Sequence, residues 1–485
     1  MLTRTEPYKY LGKSVTLNGE DPEQITGIIT TYKELVEQVC SCQLPLSLKV
    51  CALNNMALAK VIHFFCNTRF EEKQLVEIDT YLTNKVRNLF SLYKSTTRDV
   101  IFLPRTSGGI GVKLFSAVYY CTRVAFIVKM LNHNEDSFRN ISRKSLLLDM
   151  KKRGVNPSVN INNFLGFSVN GRGFVESSTY FGCKTNWIEL NRYCRKLDIL
   201  VQWVDDKATV IIDGEPCNAI NLNKALYNHH VKSAKLHVEE LTLQGAYMQL
   251  QNIDEKISHT IHYNWKLNDQ LLIFLVKARL NILPTNFTLY IWNRENNPRC
   301  EFCNHSTESM AHLLNGCQLM FGNFYNKRHN RIANYLYEKL RTIYKHLTTY
   351  NNKLMETIFP EHRDILLTYA FRKPDIVIVD PIRKSIDIIE VTICYDLYFD
   401  LAQNTKIEKY DPLKNVLMQL GYAVNLYVLC FGSLGTIMKD CSHIVRKLCK
   451  NKDKAKEILK WCSISNIIGA NYIWRNRVKR LLVEG

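Results

Sequence analysis

Lys373-Pro374-Asp375-Ile376-Val377-Ile378-Val379-Asp380 is followed, after the turn Pro381-Ile382-Arg383-Lys384, by Ser385-Ile386-Asp387-Ile388-Ile389-Glu390-Val391-Thr392-Ile393. β-Branched residues bounded by turn residues predict two strands joined as a hairpin. If Asp380 pairs with Ser385, antiparallel register puts Asp375 opposite Glu390, and directly opposed residues share a face with Cβ atoms roughly 4.5–5.5 Å apart. Two carboxylates that close repel unless a cation lies between them. Hard oxygen ligands with room for water suit Mg²⁺ or Mn²⁺. Apolar residues on both faces of both strands argue for a central, covered sheet. An ordinary hairpin with solvated acids at its strand ends is the competing reading.

Two lysines, Lys406 and Lys409, follow at a spacing of three, which puts them on one face of a predicted helix. Carboxylates that hold a metal, with a lysine beside them, can activate water and steady the charge on a phosphodiester during its transfer. Upstream, Cys300-x2-Cys303, eight residues, His312, four residues and Cys317 offer three thiolates and one imidazole, the donor set of a closed tetrahedral zinc site. His305 could substitute as a ligand.

These motifs resemble one family. Lys-Pro-Asp, fourteen residues and then Glu390 look like the restriction-like endonuclease of site-specific non-LTR retrotransposons, in which the lysine of the PD-(D/E)xK motif has moved from the strand to the following helix. Thr392 stands where the usual lysine would be, while Lys406 and Lys409-Tyr410 match the displaced lysines and the Lys-Tyr pair. The resemblance implies Asp375 and Glu390 as ligands of a catalytic Mg²⁺ or Mn²⁺, Lys406 or Lys409 as the catalytic lysine, and Lys373 and Tyr410 near the nucleic acid. Phe274 to Thr285 looks like the family's lead-in to its zinc knuckle, and Thr307-Glu308 through Cys317 matches the knuckle. Arg328-His329-Asn330 resembles a short signature between knuckle and nuclease, which implies nucleic-acid contact for Arg328 and His329. Tyr8-Lys9-Tyr10-Leu11-Gly12 resembles the end of a reverse-transcriptase palm, and Leu103-Pro104 with Gly108-Gly109-Ile110-Gly111 resembles a segment of its thumb.

The expected fold class is therefore α+β and multidomain, with a mostly helical N-terminal half, a small zinc knuckle and an α/β nuclease-like domain at the C-terminal end. The expected domains are a palm remnant over 1–20, a helical thumb over 21–131, a basic linker domain over 132–290, a CCHC knuckle over 291–325 and a restriction-like endonuclease with a basic helical tail over 326–485. Trp203-Val204-Asp205-Asp206 mimics a polymerase hairpin but lies after the thumb-like segment, and an Asp-Asp between two short strands reads as a turn. No catalytic aspartates precede Lys9, so the chain is expected to nick DNA without copying RNA. In the family the nick primes reverse transcription. The competing class is a non-catalytic nucleic-acid-binding protein derived from a decayed or domesticated element.

The 485 residues carry a net charge of +19, which favours a polyanionic partner: target DNA, with element RNA as a second. The longest apolar run, near Leu271 to Leu280, is broken by Lys277 and Arg279 and falls short of the roughly 18 residues that cross a bilayer, so no membrane partner is expected. Sixteen cysteines without a visible export signal read as thiols or metal ligands in a reducing compartment. The resemblance implies the nucleus. Tyr180, Phe181, Trp187 and Tyr193 among Lys184, Arg192, Arg195 and Lys196 suit either single-stranded nucleic acid or an aromatic core with a basic outer face.

Overall fold

The computed structural model describes residues 8–10, 13–15, 22–152, 161–162, 164–165, 185–217, 220–264 and 267–484. The chain forms two compact units. The first is built from the N-terminal part up to His237; the second runs from Val238 onward and takes in Ser95–Thr97 and Arg105–Gly109. The boundary thus falls inside the segment read as a linker domain, whose two parts belong to different units.

The first unit is mainly helical. Pro22–Ser41, α1, buries Ile28, Tyr32, Val36 and Val39 at three- and four-residue steps, the stripe expected of an amphipathic helix. Glu72–Leu89, α2, begins with a capping box in which Glu71 and Gln74 satisfy each other's backbone N–H groups. Phe115–Leu131, α3, is buried almost all round. Trp187 and Tyr193 on Asn186–Leu197, α4, are buried, so the aromatic-core reading holds there; Tyr180, Phe181 and Lys184 lie outside the described residues. Asp205 and Asp206 join the strands Leu200–Val204 and Lys207–Ile212 with both φ values positive, and Arg143 bonds Asp206. That is an exposed hairpin turn of the kind Asp tolerates. The palm-like segment is an antiparallel pair, Tyr8–Tyr10 with Lys13–Val15; Leu11 and Gly12 lie outside the described residues.

The second unit is organised by a four-stranded mixed sheet. Gln318–Ile343, α5, leads into Thr348–Asn351, Ile376–Asp380 and Ser385–Cys394, three antiparallel strands in sequence order. Phe399–Gln419, α6, then crosses over, and Ala423–Gly432 pairs parallel with Ser385–Cys394. Asp380 pairs with Ser385 and Ile376 with Ile389, the register expected from the sequence. Ile376, Ile378, Ile389 and Val391 pack with Ile332, Leu336 and Leu340 of α5. Val377, Val379, Ile386 and Ile388 pack with Tyr410, Leu413 and Val416 of α6. The period-two alternation sends apolar residues to both faces, and a helix covers each.

The basic tail forms two helices, Lys439–Cys449 (α7) and Lys452–Glu484 (α8). Its lysines and arginines lie mostly outward, but α8 also buries Ile458, Leu459, Cys462, Ile467 and Ile473 against the sheet layer and the knuckle. Among the described residues no helix is long and apolar enough to cross a membrane, and the cysteines are all free thiols.

Candidate metal centre and acidic cluster

Two sites emerge in the second unit. In the first, a tight Cys-x2-Cys turn brings Cys300 and Cys303 together: the Cys300 N–H donates to Ser306 O at 2.8 Å and the Asn304 N–H to Cys300 O at 2.8 Å. A single wide helical turn, His312–Gly316, carries the third ligand residue, and Cys317 caps α5. The four ligand atoms of Cys300, Cys303, His312 and Cys317 lie within 4.8 Å of one another. Cys300 Sγ and Cys317 Sγ are 3.9 Å apart, near the roughly 3.8 Å that a tetrahedron of 2.3 Å zinc–sulfur bonds requires. Cys303 Sγ and His312 Nε2 are 3.4 Å apart. The 4.8 Å spread is wider than the roughly 4 Å expected from the sequence.

The electrostatics of the four ligands differ. Burial pushes the Cys300 thiol up to about 12. Burial also opposes ionisation of Cys303, but hydrogen bonds from the His305 and Ser306 backbone and from its cysteine neighbours hold it below its ordinary value. Burial pushes His312 down, towards the neutral imidazole that a metal needs. The knuckle is also tied into the fold. Glu308, fully buried, accepts the Asn286 N–H and pairs with Arg477 of α8 at 2.6 Å. Asn315 donates to Ile393 O at 2.8 Å, at the end of a central sheet strand.

The second site lies where two central strands part. Beyond Ile376 the ladder to Ser385–Cys394 stops, and the two acids bridge the gap. The Asp375 N–H donates to Glu390 Oε1 at 3.0 Å, and the Val391 N–H donates to Asp375 Oδ2 at 2.8 Å. Lys406 of α6 donates to Glu390 Oε2 at 2.9 Å. Glu390 is 1% exposed, Asp375 15% and Lys406 23%. Burial and the neighbouring Asp375 charge push the Glu390 carboxyl up, with Lys406 opposing. Burial works the same way on Asp375, but His329 and the Val391 N–H outweigh it and hold that carboxyl below its usual range.

His329 belongs to this cluster. Its Nε2 lies 3.3 Å from Asp375 Oδ2 and 3.0 Å from Val391 O, and its Nδ1 lies 3.1 Å from Asn330 Oδ1. Three acceptors around one ring favour the imidazolium, and the Asp375 hydrogen bond raises His329 to about 9. Because the folded value lies above the ordinary 6.5, the pair stabilises the fold fully below pH 6.5 and loses that contribution as pH rises through about 9. In Mg²⁺-free buffer, urea unfolding between pH 6 and 10 should therefore show a loss on the order of 2 kcal/mol that His329→Gln removes. Parallel pH profiles for the two proteins would contradict the pairing.

Other residues singled out in the sequence lie elsewhere. Lys409 is not at the carboxylates; its ammonium sits 4.7 Å from the centre of the Phe371 ring and 5.0 Å from that of Tyr410. Arg328 is buried and donates to Leu314 O at 2.8 Å, so its guanidinium fastens the knuckle to α5 and is turned away from solvent. Tyr410 is buried in the α6 face of the sheet, with its hydroxyl donating to Lys373 O at 3.2 Å. Lys373 is exposed. Sequence reasoning passed over Phe371, an exposed aromatic four residues before Asp375 whose only sequence signal was that proximity.

Residues 242–322 match the family model described as zinc-binding in reverse transcriptase, a segment that contains all four clustered ligands. That donor set fits structural zinc. A search of curated proteins found no match.

Proposed function

We propose that this chain is the DNA-nicking part of a non-LTR retrotransposon protein, with Asp375, Glu390 and Lys406 as its catalytic cluster. The carrying observation is the convergence of those three side chains at a strand gap beneath α6, in the same compact unit as the reverse-transcriptase-type zinc segment. The donor chemistry suits a divalent ion: two carboxylates meet, and Asp375 Oδ1 has no hydrogen-bond partner among the described residues. Mg²⁺ or Mn²⁺, when bound, would supply Lewis-acid stabilisation of the phosphoryl oxygens. The chain's own groups do the rest. Glu390 and Asp375 bring two carboxylates together, Lys406 favours the ionised form of Glu390 and presents a cation to the phosphate, and the His329 N–H orients Asp375. The resulting 3′ end would prime reverse transcription, with element RNA as a second partner. Action on genomic DNA would put the chain in the nucleus.

One observation favours the second reading, a nucleic-acid-binding protein without catalysis. Each acid already has a cation partner, Lys406 for Glu390 and His329 for Asp375, so the cluster is satisfied without a metal. The test is nicking of supercoiled plasmid with Mg²⁺ or Mn²⁺, alongside DNA binding across a salt series. The net charge of +19 predicts an affinity that falls steeply between about 50 and 200 mM salt, through counterion release. Salt-dependent binding without nicking would favour the second reading; binding indifferent to salt would sink the use of net charge in both.

A further inference from the structure

Phe371 leaves 51% of its surface in solvent. An exposed phenylalanine alone needs no explanation, but this one is held in place. The next residue, Arg372, donates to Glu356 Oε1 at 2.7 Å, to Leu367 O at 3.3 Å and to Tyr369 O at 3.2 Å. Its carbonyl accepts the Met355 N–H at 2.9 Å. The ring therefore projects from a pinned segment that runs directly into Asp375. Lys409 sits against the ring at 4.7 Å, and Lys406, one helical turn earlier, bonds Glu390. The two lysines thus divide the work that their spacing alone left undecided: one faces the acids and the other faces the aromatic.

We propose that Phe371 and Lys409 form a shelf that holds an unpaired nucleotide of the substrate strand beside the acidic cluster. The ring stacks on the base, whose π-face is available only once it leaves a duplex. The ammonium meets the adjoining phosphate. This rests on the nuclease reading and deepens it, since the substrate at the cluster becomes a locally unpaired strand. A paired duplex buries its base faces in its own stack and offers the ring nothing comparable.

The probe is an oligothymidine carrying one 2-aminopurine, bound to the full chain in Mg²⁺-free buffer. Stacking should quench the 2-aminopurine. Phe371→Ala should abolish the quenching and weaken binding on the order of tenfold, whereas Phe371→Trp should keep both. Lys409→Ala should reduce the slope of log affinity against log salt by about 0.7, the share of one single-strand phosphate, and Lys409→Arg should restore it. A folded Phe371→Ala protein with unchanged quenching and affinity overturns the shelf. Plasmid nicking by the unaltered chain separates the two ideas. Nicking with no effect of Phe371→Ala removes the shelf alone. Phe371-dependent quenching without nicking removes the nuclease and leaves the shelf as a single-strand binding site.

Discussion

Purified chain should contain one zinc ion, and Cys303→Ser should lose it. Cys303 is the informative ligand because it is half-buried and its thiol is already held below its ordinary value, so its replacement disturbs the core less than loss of Cys300 or Cys317. In isolated zinc-finger peptides the ion contributes roughly 10–16 kcal/mol at pH 7, all of it as folding energy. Here the neighbouring core carries part of the fold, so removal should open the segment locally before the unit unfolds. The opening has a route. Cys317 caps α5, and Asn315 ties the same turn to Ile393 O, so a relaxed knuckle loosens both the helix start and the end of a central strand. Chelation should lower the thermal midpoint of the unaltered chain by more than 10 °C, on the basis that 1 kcal/mol shifts a domain of 150–250 residues by about 2–4 °C. The Cys303→Ser protein should start low and respond little to chelator. Stoichiometric zinc in that variant would contradict the assignment.

Part of this architecture was readable because local physics dominated it. The hairpin register followed from one turn and two β-branched runs, and the observed Asp380–Ser385 pair matches it. The clustering of Cys300, Cys303, His312 and Cys317 followed from spacing, since a Cys-x2-Cys turn leaves little freedom. The parts that were not readable depend on sites distant in sequence. Arg328 looks like a surface cation in a basic helix, yet α8 packs over it closely enough that a Cβ on Gly469 would lie 2.8 Å from its Cδ. Glu308 and Arg477 are a buried pair separated by 169 residues, beyond any periodicity argument. His329 was noted, but its Asp375 contact depends on how α5 crosses the sheet. Lys406 and Lys409 share a helical face, as their spacing says. A step of three still turns the side chains by about 60° relative to each other, enough to send one to Glu390 and the other to Phe371.

Lys406→Ala should abolish metal-dependent nicking, whereas Lys409→Ala should retain it in the main and lose mostly affinity. The difference follows from geometry. Lys406 is 2.9 Å from Glu390 Oε2, close enough to act on charge developing at the same phosphate, while Lys409 lies against the aromatic shelf. Removal of one such electrostatic group costs about 2.7–4 kcal/mol of transition-state stabilisation, or roughly 10²–10³ in rate. Asp375→Ala and Glu390→Ala should do at least as much, because each also removes a carboxylate from the donor set proposed for the divalent ion. Each substitution also strands a backbone donor. Glu390→Ala leaves the Asp375 N–H without its acceptor and Lys406, which reaches solvent, without its carboxylate. Asp375→Ala leaves the Val391 N–H without its acceptor and removes one of the two acceptors of His329 Nε2, which keeps Val391 O, so both variants should lose some stability. Single-turnover nicking, DNA affinity and thermal midpoint measured on the same four proteins separate chemistry from folding. Equal loss of nicking in Lys406→Ala and Lys409→Ala, with affinity unchanged in both, would overturn the division between the two lysines. Full nicking by a folded Glu390→Ala protein would remove the acidic cluster from the chemistry altogether.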